Sequence, residues 1–191
     1  MKKLFQILLL IILIVISLLF YKNYIKSDKS PKNIGIENNE NLLENNKNNL
    51  IKNLKYNVKF DDDTEYFITA ELSELIYEEG AEIVNMKIVN AKLINDDNTS
   101  LTIKSKKANY NNLTYNTEFL EDIIVEYMDN KIYSDNLDLN FDKNIIRIYN
   151  NVVYDGAQGL IKTDNILIDI GTKEAKIFMD KPDDKVEVQA K

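Results

Sequence analysis

The sequence predicts an all-β protein, antiparallel strands joined by polar hairpins, preceded by a single N-terminal transmembrane helix. The first 25 residues hold a long apolar run. Beyond it, apolar and polar side chains alternate with a two-residue period, and a 29-residue repeat sets the alternating segments in a fixed order.

From Leu4 to Tyr21 the chain reads LFQILLLIILIVISLLFY, relieved only by Gln6 and Ser17. A helix of that length, at ~1.5 Å per residue, reaches roughly 27 Å, close to the ~30 Å hydrocarbon core of a bilayer. A cleaved signal peptide also begins with positive charge. Its apolar core is shorter, however, and ends in a small-x-small site, whereas Phe20, Tyr21, Lys22, Asn23 and Tyr24 follow this run. Residues 1–25 are therefore expected to be an uncleaved anchor, with Tyr21 and Tyr24 at an interface. The short tail carrying Lys2 and Lys3 favours the cytoplasmic side and would put the body across the membrane, although Lys22 and Lys26 flank the other end. Residues 26–53 are Asn-rich, polar and without sustained periodicity, as expected of a linker.

The body, 54–191, opens with Leu54, Tyr56, Val58 and Phe60 alternating with Lys55, Asn57 and Lys59, the pattern of a half-buried strand. The turn Asp61-Asp62-Asp63 leads into Tyr66, Ile68, Ala70 and Leu72. Similar runs follow at Leu101 and Ile103, at 123–127, 137–141, 146–148, 166–170 and 175–179, and at Val186 and Val188. Ser105, Ser134 and Thr163 fall 29 residues apart, each within an Ile-x-(Ser/Thr)-x-x-apolar-x-apolar unit, and Ile68-Thr69-Ala70 is a looser copy upstream. Hairpins such as Asp142-Lys143-Asn144 and Gly171-Thr172-Lys173 close the units. Stacked, they give an elongated sheet structure with one continuous apolar strip inside.

Composition narrows the function. The 191 residues are 45% hydrophobic and 29% charged, too apolar for a disordered chain. They include no Cys and no His, which removes disulfides, thiol nucleophiles, imidazole metal sites and the Ser-His-Asp triad. Net charge is −7; residues 1–32 carry a local +5, and subtracting it leaves −12 on the body. Nucleic-acid binding needs clustered cations, and none remain there. No phosphate-binding G-x-x-x-x-G-K-[ST] loop is present. The Asp61 to Glu65 run starts like a calcium loop, but Tyr66 and Leu72 stand where Gly and Glu are needed, so a solvated turn is expected. Glu78-Glu79, Asp96-Asp97 and Asp183-Asp184 read as turn carboxylates, and no cofactor or metal is expected. The apolar strip admits two structures: a dry sandwich core, or a groove between sheets that solvates acyl chains at ~0.8 kcal/mol per buried methylene. A membrane anchor favours the groove, because tethering raises the local concentration of lipid.

The elements Tyr66-x-x-x-Ala70, Ala108-x-Tyr110, Leu120-x-x-Ile123-x-Val125, Ile132-x-Ser134-x-x-Leu137-x-Leu139-x-Phe141, Asn150-Asn151-Val152 and Gly159-x-Ile161-x-Thr163, behind an apolar helix and a linker, resemble the LptC family of lipopolysaccharide export. Where related proteins often place Gly, this chain has Asp122 and Asn151. The resemblance implies a twisted, open-ended β-jellyroll on a single-pass inner-membrane anchor, with its bulk in the periplasm. It implies a non-enzymatic, lipopolysaccharide-binding bridge in outer-membrane biogenesis, accepting lipopolysaccharide from the LptB, LptF and LptG transporter and passing it to LptA. The alternatives are an anchored structural or interaction domain without a groove, and a soluble LptA-like carrier released by signal cleavage. The alternating faces nominate Ile68, Ala70, Ile103, Tyr110, Ile123, Val125, Leu137, Leu139, Val152 and Ile166 as the groove lining.

Overall fold

The computed structural model describes residues 49–60, 64–78, 80–95 and 98–191, with the backbone of 32 and 33. The apolar run of 4–21 and most of the linker lie outside the described residues. Among those described, no helix is long and apolar enough to cross a membrane. All regular structure there is strand: β1 (Lys32–Asn33), β2 (Asn49–Lys59), β3 (Glu65–Glu78), β4 (Ala81–Ile94), β5 (Ser100–Asn111), β6 (Thr117–Tyr127), β7 (Asn130–Asn140), β8 (Ile145–Gly156), β9 (Gly159–Asp169), β10 (Ala175–Phe178) and β11 (Glu187–Ala190). They form one antiparallel sheet in sequence order from β1 to β10, and β11 also pairs with β9. The alternation read from the sequence is this sheet. The first long strand, β2, starts at 49, ahead of the alternation that opens at Leu54, because Asn49 to Lys52 pair with Leu72 to Leu75 of β3. The polar sequence hid it: only Leu50 and Ile51 are apolar in that stretch, too few to register as a period.

A crease runs across every long strand. On β6 it lies at Glu121-Asp122 and on β8 at Asn150-Asn151, where the register with both neighbours shifts. All four residues have left-handed φ, 65°, 52°, 64° and 54°. Two residues here oppose one on the adjacent strand, a β-bulge that bends its strand. Asp and Asn tolerate left-handed backbone better than other non-glycine residues, which is how Asp122 and Asn151 hold the bend without glycine. On β2 and β4 the crease passes through Asn53, φ 53°, and Ile88, φ 55°.

The 29-residue repeat is explained by the crease. From β5 to β9, odd strands carry the hydroxyl and even strands the bulge. Ser105 and Ser134 donate their hydroxyls to the carbonyl two residues on, at 2.8 and 3.1 Å, satisfying an acceptor that the ladder loses where the strand bends; Thr163, in the equivalent place, lies 3.4 Å from the Asn165 carbonyl and donates at 2.8 Å to the Phe178 carbonyl of β10. Ala70 stands in the same cross-strand row as Ser105 through Val89, which accounts for the looser upstream copy.

Bending at the crease turns the single sheet into two facing layers. The first contains 54–59, 65–70, 89–94, 100–104, 123–127, 130–133, 152–156, 159–162 and β11. The second contains the other halves and β10. Side chains that meet across the gap belong to strands that are not neighbours in the sheet: the rings of Tyr56 and Tyr110 lie 5.1 Å apart, and Tyr66 shares a buried 3.0 Å hydrogen bond with Thr117. Burial of its phenol pushes the Tyr66 pKa far up, so Tyr66 stays neutral and able to donate.

Ile88 is a β-branched residue in left-handed backbone with its side chain 58% exposed, so strain is not offset by burial. Replacing it by Asn is expected to raise stability by about 1 kcal/mol, and Asn151→Val to lower it by about 1–3 kcal/mol. Urea midpoints of the two variants check both signs, and an Ile88→Asn protein no more stable than its parent would refute the strain assignment.

Candidate functional site: an apolar cavity at the C-terminal end

The interior is built from cross-strand ladders of inward side chains. One runs along the first layer through Tyr56, Ile68, Ala91, Ile103, Val125, Ile132, Tyr154, Ile161 and Val188. Its counterpart in the second layer runs through Met86, Ala108, Phe119, Leu137, Ile148, Ile166 and Ile177. All ten residues nominated from the sequence face this interior and are buried there. Their surroundings differ. Val125 and Ile166 line an open cavity, while Ile68, Ala70, Ile103, Tyr110, Ile123, Leu137, Leu139 and Val152 do not line it and lie in the packed core.

The cavity, about 750 Å³, lies between the layers at the C-terminal end. Val125, Ile132 and Ile161 form one wall, and Ile146, Ile166 and Ile168 the other. That volume is within the ~300–1,000 Å³ typical of sites that enclose small apolar ligands. Its place follows from the twist of the sheet, which offsets the layers by three strands or more: β2 meets β5, and β3 meets β6 and β7. The second layer ends at β10, so the last strands of the first layer run past most of their opposing side chains. At the outer mouth of the cavity, which they also line, the same ladders reach solvent at Ile177, 39% exposed, and Val188, 72% exposed. The sequence expected these two strands to be half-buried like the rest. Every residue of β10 and β11 is exposed instead, because nothing among the described residues packs on the outer edge of these last strands.

Polar groups collect at the lips. Asn95, Asn130 and Gln158 come from the first layer, Asp169 and Lys173 from the second. Tyr154 donates a 2.7 Å hydrogen bond to Asn130 Oδ1. Its ring folds over Gly156, where a Cβ would lie 2.5 Å from the phenol oxygen. The backbone amide of Thr172 donates to Asp169, lowering the pKa of that carboxyl and keeping it charged. The arrangement suits an amphiphile with its chains inside and its polar part at the rim, and offers neither a nucleophile-base pair nor a metal cluster among the described residues.

Toward the N-terminal end the seam between the lips is shut. Phe60, from the turn after β2, stacks on Phe141 at 4.6 Å and meets Tyr115 edge-on at 6.1 Å, and Phe141 meets Tyr66 at 5.3 Å. Asn116 braces the opposite lip, accepting from the Phe141 amide at 2.9 Å and donating to Asp142 at 3.3 Å. Each aromatic pair adds about 0.5–1.5 kcal/mol beyond its burial, so this clasp amounts to a few kcal/mol.

The 29-residue register could have found part of the missed lining, since Ile132 and Ile161 occupy the repeat position of Ile103. Ile146 and Ile168 are across-strand partners, a relation visible only once the pairing is known.

The described residues thus form a two-layer, open-ended β-jellyroll with an apolar cavity at its C-terminal end. The chain belongs to the LptC family: the model described as lipopolysaccharide-assembly, LptC-related, matches residues 9–179. Membership makes it a non-enzymatic component of lipopolysaccharide transport. No curated protein sequence matches the chain.

Gly159, at φ +148°, lies where a Cβ would meet the Gln189 carbonyl oxygen of β11 at 2.2 Å. Gly159→Ala is expected to lift β11 from β9, giving faster amide exchange at 159–162 and 187–190 with β2 to β5 unchanged. Unaltered exchange at 187–190 would contradict the close approach.

Proposed function

We propose that this chain is the membrane-tethered bridge of a lipopolysaccharide export machine. Its N-terminal run spans the inner membrane once, the linker extends the jellyroll into the periplasm, and the jellyroll takes lipopolysaccharide from an ABC transporter of the LptB, LptF and LptG type. The observation that carries the reading is the apolar cavity at the C-terminal end, continuous with inward ladders that emerge at Ile177 and Val188. An acyl chain lying there is held at ~0.8 kcal/mol per buried methylene, and no cofactor is required.

Hand-over to an LptA-like carrier follows from the outer edge of β10 and β11. An unpaired edge strand offers backbone donors and acceptors to a strand of the next module, aligning two interiors into one. The edge is interrupted by residues 179–186, which contain Pro182 and the charged side chains Lys181, Asp183, Asp184 and Lys185, features that discourage indiscriminate strand addition. An acidic body does not attract the anionic head group, so acyl chains dominate the contact and the head group remains at the wet rim.

A photo-crosslinker at Ile166 is expected to capture lipopolysaccharide, and one at Asp138, on the outer face and hydrogen-bonded to Tyr149, is not. Capture at Ile166 should persist with dephosphorylated lipid A as competitor-sensitive ligand and be unaffected by excess deacylated head group. Equal capture at both positions, or competition by the head group alone, would defeat the assignment.

A further inference from the structure

We propose that Asn130, oriented by the Tyr154 phenol, is the hydrogen-bond donor by which the cavity selects chains joined through a carbonyl, as esters or amides, over alkyl chains that lack one. The inference rests on the carrier reading above and names the chemical class its cavity takes. Along the lip of the first layer the inward row changes character. Leu93, Leu101 and Tyr127 pair in turn and lead to Asn130, and the paired Gly156 and Gly159 continue the lip on β8 and β9. Asn130 and Tyr154 both border the cavity, beside the apolar wall of Ile132 and Ile161. The lip is where a chain lying inside meets its own polar part, and the first strong acceptor an acyl chain brings there is its carbonyl oxygen.

The donor is held by a specific arrangement of β7 and β8. Tyr154 and Gly156 share a face of β8, and the ring lies along the strand over Gly156, where a Cβ would come within 2.5 Å of the phenol oxygen and 2.7 Å of Cε1 and Cζ. Gly156 has no left-handed φ, so glycine is needed there for the ring's space and not for the backbone. Lying flat, the ring carries its hydroxyl across to β7, where it donates to Asn130 Oδ1 at 2.7 Å. With Oδ1 engaged, the carboxamide presents its nitrogen, which carries two N–H groups. One meets the Tyr127 carbonyl at a long 3.4 Å, and the other has no partner among the described residues. The other rim amides are placed differently: Asn95 Nδ2 donates to Thr99 at 3.2 Å, and no hydrogen bond among the described residues fixes the Gln158 side chain. A fixed donor beside an apolar wall discriminates by the bond it makes. A carbonyl oxygen accepts it, whereas an ether-linked chain leaves the N–H to water.

The test uses the full-length protein with a photo-crosslinker at Ile166 and lipopolysaccharide as the captured ligand. Capture is competed by dilauroyl phosphatidic acid, an ester, or by its didodecyl ether analogue, which keeps the chains and the phosphate but has no carbonyl. The quantity read is the ratio of the ether's half-inhibitory concentration to the ester's, in which general effects on folding or on phosphate repulsion cancel. Asn130→Asp keeps an acceptor for Tyr154 and removes the N–H donor, and is expected to lower the ratio roughly two- to tenfold, the worth of one hydrogen bond at a half-buried position. Tyr154→Phe keeps the ring but releases the carboxamide, and Gly156→Ala displaces the ring; each should lower the ratio by a smaller factor, with thermal melting confirming a folded protein. An unchanged ratio in Asn130→Asp overturns the donor. A fall there with none in Tyr154→Phe and Gly156→Ala overturns the positioning by Tyr154. Capture that neither lipid displaces overturns the class assigned to the rim, and all three results leave the carrier reading standing. Absence of lipopolysaccharide capture at Ile166 in the parent overturns the carrier reading itself.

Discussion

The crease is the constraint on which the rest of the structure depends. A flat antiparallel sheet with this alternation would expose a greasy face across all its strands, and no helix among the described residues covers it. Folding the sheet on itself lets the apolar face bury itself. The fold requires a bend at the same level in every strand, and a bend costs ladder hydrogen bonds and left-handed backbone. This chain meets both costs locally: Ser105 and Ser134 supply the missing donors, and Asn and Asp occupy most of the left-handed positions.

Because sheet twist offsets the two layers, the ends of the jellyroll are unequal. In the middle and toward β2, side chains of both layers interdigitate around Phe119, Tyr66 and Ile68. At β9 to β11 one layer runs out, and the cavity forms where partners are missing. A single uniform apolar strip therefore yields a packed region and an open one without any change in residue type.

Electrostatics shape the outside more than the inside. The acidic surface is laced with ion pairs across the strands, among them Lys104 to Glu126 at 3.0 Å and Lys106 to Asp122 at 2.5 Å beside the crease. Such exposed pairs contribute little stability, roughly 0–1 kcal/mol each, and serve mainly to keep a strand-rich surface soluble. On the second layer's outer face, Arg147 lies over the Tyr149 ring at 4.7 Å and donates to Asn165, whose own amide donates to Asp180 of the 179–186 segment. Burial raises the pKa of Asp138 in the same cluster, and the hydrogen bond from Tyr149 partly offsets the rise.

The sequence by itself determined the strands, the strip and its inward faces. Side-chain direction in a strand has a period of two, and a 29-residue repeat carries that register from one hairpin to the next, so all ten nominated residues lie inside. It also placed Asp122 and Asn151 at a sensitive position without revealing that they would be left-handed. Only the tertiary structure decided which inward residues are packed and which border open space. Ile103 and Ile132 share one repeat position and one chemistry, yet Ile103 is core and Ile132 is cavity wall. The difference lies in what stands opposite, three or more strands away in the other layer, and that is set by the accumulated twist of the sheet rather than by any local pattern.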